Sequence, residues 1–129
     1  MKSLKILLIC GTIIMGGQSF AKPPKDIEIK FKKGDYCATY QIDTRSDLHI
    51  YLNKNQTFTI DLIAGTSKPY LTNSKGDGVE FDYSKVYSQK YNINQSQWKY
   101  HIANKGKYTI GFDIPHDSHT YAELEFCAY

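Results

Sequence analysis

His116 and His119, with Ser118 between them, are the side chains of this chain whose types and spacing come nearest to a catalytic or metal site. A His-x-x-His pair can offer two imidazoles to a cation, but a zinc site needs at least a third protein ligand. No cysteine or further histidine lies nearby in sequence. Ser118 lacks the glycine-flanked elbow that lifts a nucleophilic serine out of a sheet, so the loop reads as solvated and no catalysis is expected. The outline of a calcium loop at Asn73 to Gly78 fails because Lys75 takes a ligand position and Ser84 stands where the closing glutamate belongs. A different chemistry is available at Lys105-Gly106-Lys107-Tyr108, where two ammonium groups and a phenol share a glycine turn. Such a set can hold carboxylates without transforming them. At this point two readings of the turn stand side by side. In one, Tyr108 presents its hydroxyl to a partner; in the other, it packs inward at its alternating parity and both lysines are simply solvated.

The elements that must position these groups begin after a leader. Lys2 and Lys5 precede an apolar stretch from Ile6 to Met15, and Ser19-Phe20-Ala21 has the small-x-small form of a signal-peptidase site. Residues 1–21 are therefore expected to be removed, and 22–129 to form a single exported domain in the periplasm or outside the cell. Cys10 belongs to the leader, since Ile9 is bulky where a lipoprotein acceptor site wants a small residue. The apolar run is also too short for a membrane span. Without Lys2 and Lys5 the chain has 14 basic against 13 acidic residues, a balance that excludes the strong basic field nucleic-acid binding needs. Cys37 and Cys127 remain, and in an exported chain they are expected to form one disulfide. No metal and no cofactor is expected. Monomer and homodimer both stay open.

Hydrophobic periodicity is two over most of the domain. Ile27, Ile29 and Phe31; Leu48, Ile50 and Leu52; Phe58, Ile60 and Leu62; Tyr108, Ile110 and Phe112; and Ala122, Leu124 and Phe126 each alternate with polar residues. Gly, Asn, Asp and Ser punctuate the gaps. The pattern predicts an all-β fold, an antiparallel sandwich of about eight short strands. Thr66 to Gln97 departs from it and reads as a long connection with one or two brief strands. Within it Tyr83, Tyr87 and Tyr91 fit either a helical turn or tyrosines folded over the sandwich edge. A Cys37–Cys127 bridge would make the second and last strands antiparallel neighbours or near neighbours, with the bridge on the wet face or at strand ends and accessible. Counting reversals from that bridge puts Lys32, Lys33, Lys54, Lys105 and Lys107 at its pole, and Arg45 with the His116–His119 loop at the other. The many tyrosines, with Trp98, are either core residues at strand parity or an interface for protein or sugar.

Two phrases carry a resemblance. Leu52-Asn53-Lys54-Asn55-Gln56-Thr57-Phe58-Thr59-Ile60-Asp61-Leu62 and Ala103-Asn104-Lys105-Gly106-Lys107-Tyr108-Thr109-Ile110 look like the two signature hairpins of pre-peptidase C-terminal-type β-sandwiches. Together with Ile27 to Gly34 and Ala38-Thr39-Tyr40, they give a chain that resembles the bacterial periplasmic inhibitors of goose-type and invertebrate-type lysozymes. That resemblance implies a non-catalytic inhibitor whose partner is a lysozyme and whose loop occludes the muramidase cleft. It assigns partner binding to Lys105, Gly106, Lys107 and Tyr108, with Lys105 where the family's turn usually has serine. A second candidate loop holds Arg45, His116, Ser118 and His119. The alternative function is a peptidoglycan- or glycan-binding module of the same sandwich type, attaching through tyrosines and Trp98.

Overall fold

A computed structural model describes residues 26–113 and 121–129; the expected leader, residues 1–21, and the segment carrying His116, Ser118 and His119 lie outside the described residues. The described strands are β1 (Asp26–Glu28), β2 (Cys37–Asp43), β3 (Asp47–Leu52), β4 (Thr57–Ala64), β5 (Lys68–Thr72), β6 (Phe81–Ser88), β7 (Ile93–His101), β8 (Gly106–Asp113) and β9 (Tyr121–Ala128). They form a five-stranded sheet, β2-β9-β4-β7-β6, and a four-stranded sheet, β1-β3-β8-β5. Every pairing is antiparallel except β1 with β3. The all-β sandwich expected from the alternation is the fold observed.

The core lies between the sheets and is filled by the alternating residues. Leu48, Ile50 and Leu52 of β3 and Tyr108, Ile110 and Phe112 of β8 meet Phe58 and Ile60 of β4, Trp98 and Tyr100 of β7, and Leu124 and Phe126 of β9. Phe58 and Phe126 stack with their centroids 6.2 Å apart. Burying each such side chain is worth about 1.5–3 kcal/mol. One glycine is required by close approach, and a second makes room for a neighbouring ring. Gly65, at φ 108°, turns β4 into β5 so near β9 that a Cβ would fall 3.0 Å from the Tyr121 carbonyl oxygen. Gly111 leaves room for the Tyr70 ring, which lies flat across it on the outer face.

Cys37 and Cys127 are directly opposite in the β2–β9 ladder and are bonded to each other. The next pair outward is hydrogen-bonded, Ala128 N to the Tyr36 carbonyl at 2.9 Å. The cysteines thus occupy a non-hydrogen-bonded pair, where Cα atoms approach most closely, here to 4.1 Å. The expected adjacency of the second and last strands holds. The expected accessibility holds only in part: Cys37 is half-buried but Cys127 is 8% exposed, because neighbouring side chains on the outer face cover the sheet here.

Other expectations are corrected. The segment 66–97 is no long connection but supplies β5, β6 and the start of β7. Tyr83 and Tyr87 sit on strand β6, and Tyr91 in the turn that follows, so the helical alternative fails. The strand expected across Ile27 to Phe31 ends at Glu28. Beyond it Ile29 N still donates to the His49 carbonyl at 2.8 Å, and Lys30 N then donates to the Tyr40 hydroxyl at 2.9 Å. Ladder partners end there because the chain is crossing from one sheet to the other.

Candidate functional site

The bridged pole is built from four connections. Residues 29–36 lead into Cys37, 53–56 join β3 to β4, 73–80 join β5 to β6, and 102–105 join β7 to β8. Register places them all at one end: Cys127 pairs with Thr59, Thr57 with His101, Phe81 with Tyr100, and Leu52 with Gly106. These connections carry Lys30, Lys32, Lys33, Lys54, Lys75 and Lys105 against Asp35, Asp77 and Glu80. Lys107 follows at the start of β8. The expected basic grouping is therefore present, and Lys75 joins it.

Backbone bonds make these turns stiff. Asn55 N donates to the Ile102 carbonyl at 2.7 Å and Ile102 N to the Gln56 carbonyl at 2.9 Å, which laces the Lys54 turn to the Lys105 turn. Ile102 itself is fully buried. In the neighbouring loop the Asn73 side chain accepts from Lys75 N at 2.9 Å and Asp77 N at 3.0 Å. This is an Asx-turn geometry, and it spends on two amides the oxygen that a calcium loop would offer to an ion.

Between the 73–77 and 104–108 segments lies a hollow of about 330 Å³. Lys75, Lys105 and Lys107 border it with Asn104, Asp77 and Tyr108. Lys105 and Lys107 are exposed, whereas Tyr108 is 5% exposed, and its hydroxyl donates to the Asn104 carbonyl. The phenol is thus committed inside the turn, where it pins Asn104 above the sheet. A Cβ at Gly106 would meet nothing within 4 Å, so the turn's rim stands open. Chemically the hollow can accept an acidic group from outside by charge-assisted hydrogen bonds. Among the described residues it presents no nucleophile paired with a base.

Arg45 is at the other pole, in the turn between β2 and β3. Its guanidinium is bound by Asp43, with Nη2 to Oδ2 at 2.7 Å and Nε to Oδ1 at 3.2 Å, and the pairing raises its already high pKa. The Lys105 turn and Arg45 are therefore at opposite ends of the sandwich; His116, Ser118 and His119 lie outside the described residues. Lys75 was missed because the loop that carries it, after β5, fell in a stretch read mainly as connection; Asn73 followed by Gly76-Asp77 was the turn signal that marked it.

The same architecture occurs in known proteins. A periplasmic lysozyme inhibitor of g-type lysozyme from Escherichia coli, PliG, studied as a mutant, superposes with a TM-score of 0.62 at 16% identity, over 83% of this chain and all of that one. Salmonella Typhimurium PliG gives 0.60 at 16% over the same shares. Aeromonas hydrophila PliG gives 0.51 at 16%, covering 82% of this chain and 98% of its own. This chain shares its fold with the PliG inhibitors. No protein-family model matches the sequence, and comparison with curated proteins gives no match.

Proposed function

We propose that this chain is an exported, non-catalytic inhibitor of a lysozyme, with the goose-type class as its first target, and that it docks through the bridged pole. The observation that carries the reading is a stiff, lysine-bordered hollow at one end of a sandwich whose fold is similar to that of periplasmic inhibitors of g-type lysozyme. A glycosidase cleft is a groove for a sugar chain with catalytic carboxyl groups on its walls. Lys105 and Lys107 enter such a groove as the cationic contacts. Gly106 keeps the rim low, and Tyr108 holds the turn in shape from beneath. Arg45, tied to Asp43 at the far pole, is the secondary candidate, and His116, Ser118 and His119 are kept with it as candidates on the sequence alone.

Cell-wall turbidity assays with goose-, invertebrate- and chicken-type lysozymes test this directly. Inhibition is expected with the goose-type enzyme, and the Lys105→Ala/Lys107→Ala double variant is expected to weaken it by about 2–3 kcal/mol, some 30- to 150-fold. Full inhibition by that variant, with loss on Arg45→Ala, would transfer the docking site to the other pole.

A further inference from the structure

The two sheets do not have the same width. In the five-stranded sheet β6 is one of the two edge strands, and its Phe81, Tyr83 and Lys85 pair with Tyr100, Trp98 and Ser96 of β7. Cross-strand partners point to one face, and Tyr100 and Trp98 point into the core. Phe81, Tyr83 and Lys85 are therefore on the core-facing side as well. Yet the second sheet ends at β5, and no residue of β6 is buried. Phe81 is 43% and Tyr83 51% exposed, in positions where a wider second sheet would have covered them.

The result is a groove of about 590 Å³ between the Gly65–Lys68 turn and β6, within the roughly 300–1,000 Å³ of small-ligand sites. Its floor and wall are aromatic, Tyr83 and Trp98 having ring centroids 5.3 Å apart and planes inclined at 55°. The Tyr83 hydroxyl is bonded to Ser96 Oγ at 2.9 Å, which fixes the ring. Lys68 and Lys85 line the groove, and among its described lining residues there is no acid.

We propose that this groove binds a glycan chain bearing carboxylates. A pyranose ring has apolar C–H faces and a polar hydroxyl rim, so it matches the half-exposed rings of Tyr83, held by Ser96, and Phe81, over a floor closed by Trp98, which is 5% exposed, as an aliphatic chain would not. The two lysines, unopposed by acid within the groove, select a charged glycan over a neutral one. The groove lies on the flank of the sandwich and shares no lining residue with the hollow at the bridged pole. The chain can therefore hold wall glycan and a protein partner at once, and this inference does not depend on lysozyme inhibition.

Trp98 is the chain's only tryptophan, so its fluorescence reports on the groove without any lysozyme present. Titration with peptidoglycan glycan strands freed of stem peptides, which keep their lactyl carboxylates, is expected to give a saturable change. Tyr83→Ala, at an exposed position, should raise the Kd about tenfold. Lys68→Ala/Lys85→Ala should remove the preference over neutral chitohexaose, weakening the charged strand far more than chitohexaose. Near-unchanged circular dichroism of both variants would confirm that they fold. The proposal is overturned by an unsaturable or absent response, by equal affinity for charged and neutral strands in the parent, by an unchanged Kd in folded Tyr83→Ala, or by free stem peptides giving the same Trp98 change.

Discussion

Tyr108 shows how one side chain can be read in two ways from sequence and only one in space. Its alternation with Ile110 and Phe112 placed it at core parity, while its place beside Gly106 put it at the head of a candidate docking turn. The ring is buried and the hydroxyl donates to Asn104 within the turn. Tyr108→Phe should therefore cost about 1 kcal/mol of stability, the value of a typical intramolecular hydrogen bond, seen as a lower Tm. Any weakening of inhibition should accompany that loss and be smaller than the effect of removing the two lysines. Asp61 gives a second residue-scale expectation. It is 7% exposed on the outer face of the five-stranded sheet, and burial raises its pKa; the nearby Glu125 carboxylate adds to the rise, while hydrogen bonds from Gln97 and Gln95 oppose it. A carboxyl that holds its proton more tightly when folded contributes stability that is present below its unfolded value near 3.8 and is lost as pH rises through the folded value. Asp61→Asn, which keeps an acceptor for Gln95, should thus be more stable than the parent at neutral pH. The difference should shrink toward pH 4 in chemical denaturation series.

Strands were legible in the sequence where both sheets cover them. β3, β4, β8 and β9 each have one face against the core, so burial writes a strict alternation of apolar and polar residues into them. β6 and the first half of β7 lack that imprint for a physical reason. Their inward positions, Phe81, Tyr83, Lys85 and Tyr87 against Tyr100, Trp98, Ser96 and Asn94, run out from under the second sheet, so polar residues are tolerated there. The outward positions Gln95 and Asp61 are meanwhile buried, inverting the usual pattern. Periodicity reports burial, and a strand that overhangs its partner sheet has little to report. The disulfide was legible because Cys37 and Cys127 are the two cysteines outside the apolar N-terminal stretch, and the nearness of the second and last strands followed from joining them; the register, Cys37 opposite Cys127, came only with the structure. The bridge closes a separation of 90 residues, worth about 4–5 kcal/mol in the chain-entropy account. The candidate hollow was half legible: the Lys105 turn stood out, but its facing wall, the 73–77 loop, followed a strand that the sequence offered only as one of one or two brief ones, without bounds or partner.

At the scale of the whole molecule, charge is sorted by end although the domain's net charge is small. Lysines gather in the connections at the bridged pole, whereas at the other Arg45 is paired with Asp43 and Lys90, in the β6–β7 turn, with Glu125 at 3.7 Å. A field of that kind speeds encounter with an acidic partner and is screened over roughly 8–10 Å at ordinary ionic strength. Association with lysozyme should therefore slow as salt rises from about 50 to 300 mM while dissociation changes little, and surface plasmon resonance separates the two rates. An association rate indifferent to salt would argue for a contact made by shape and apolar surface alone.

Tyr129 gives this geometry a practical bearing. Its backbone exchanges hydrogen bonds with Thr57, N to O at 3.0 Å and O from N at 2.8 Å, and its ring meets Tyr36 with centroids 5.8 Å apart. Anything joined after Tyr129 leaves the sandwich beside the Lys54 and Lys105 turns. An affinity tag or sensor-chip tether placed there would mask the very end proposed to dock, and the chain would register as inert; anchored instead through a lysine-free point on the far pole, it would present that end to solution.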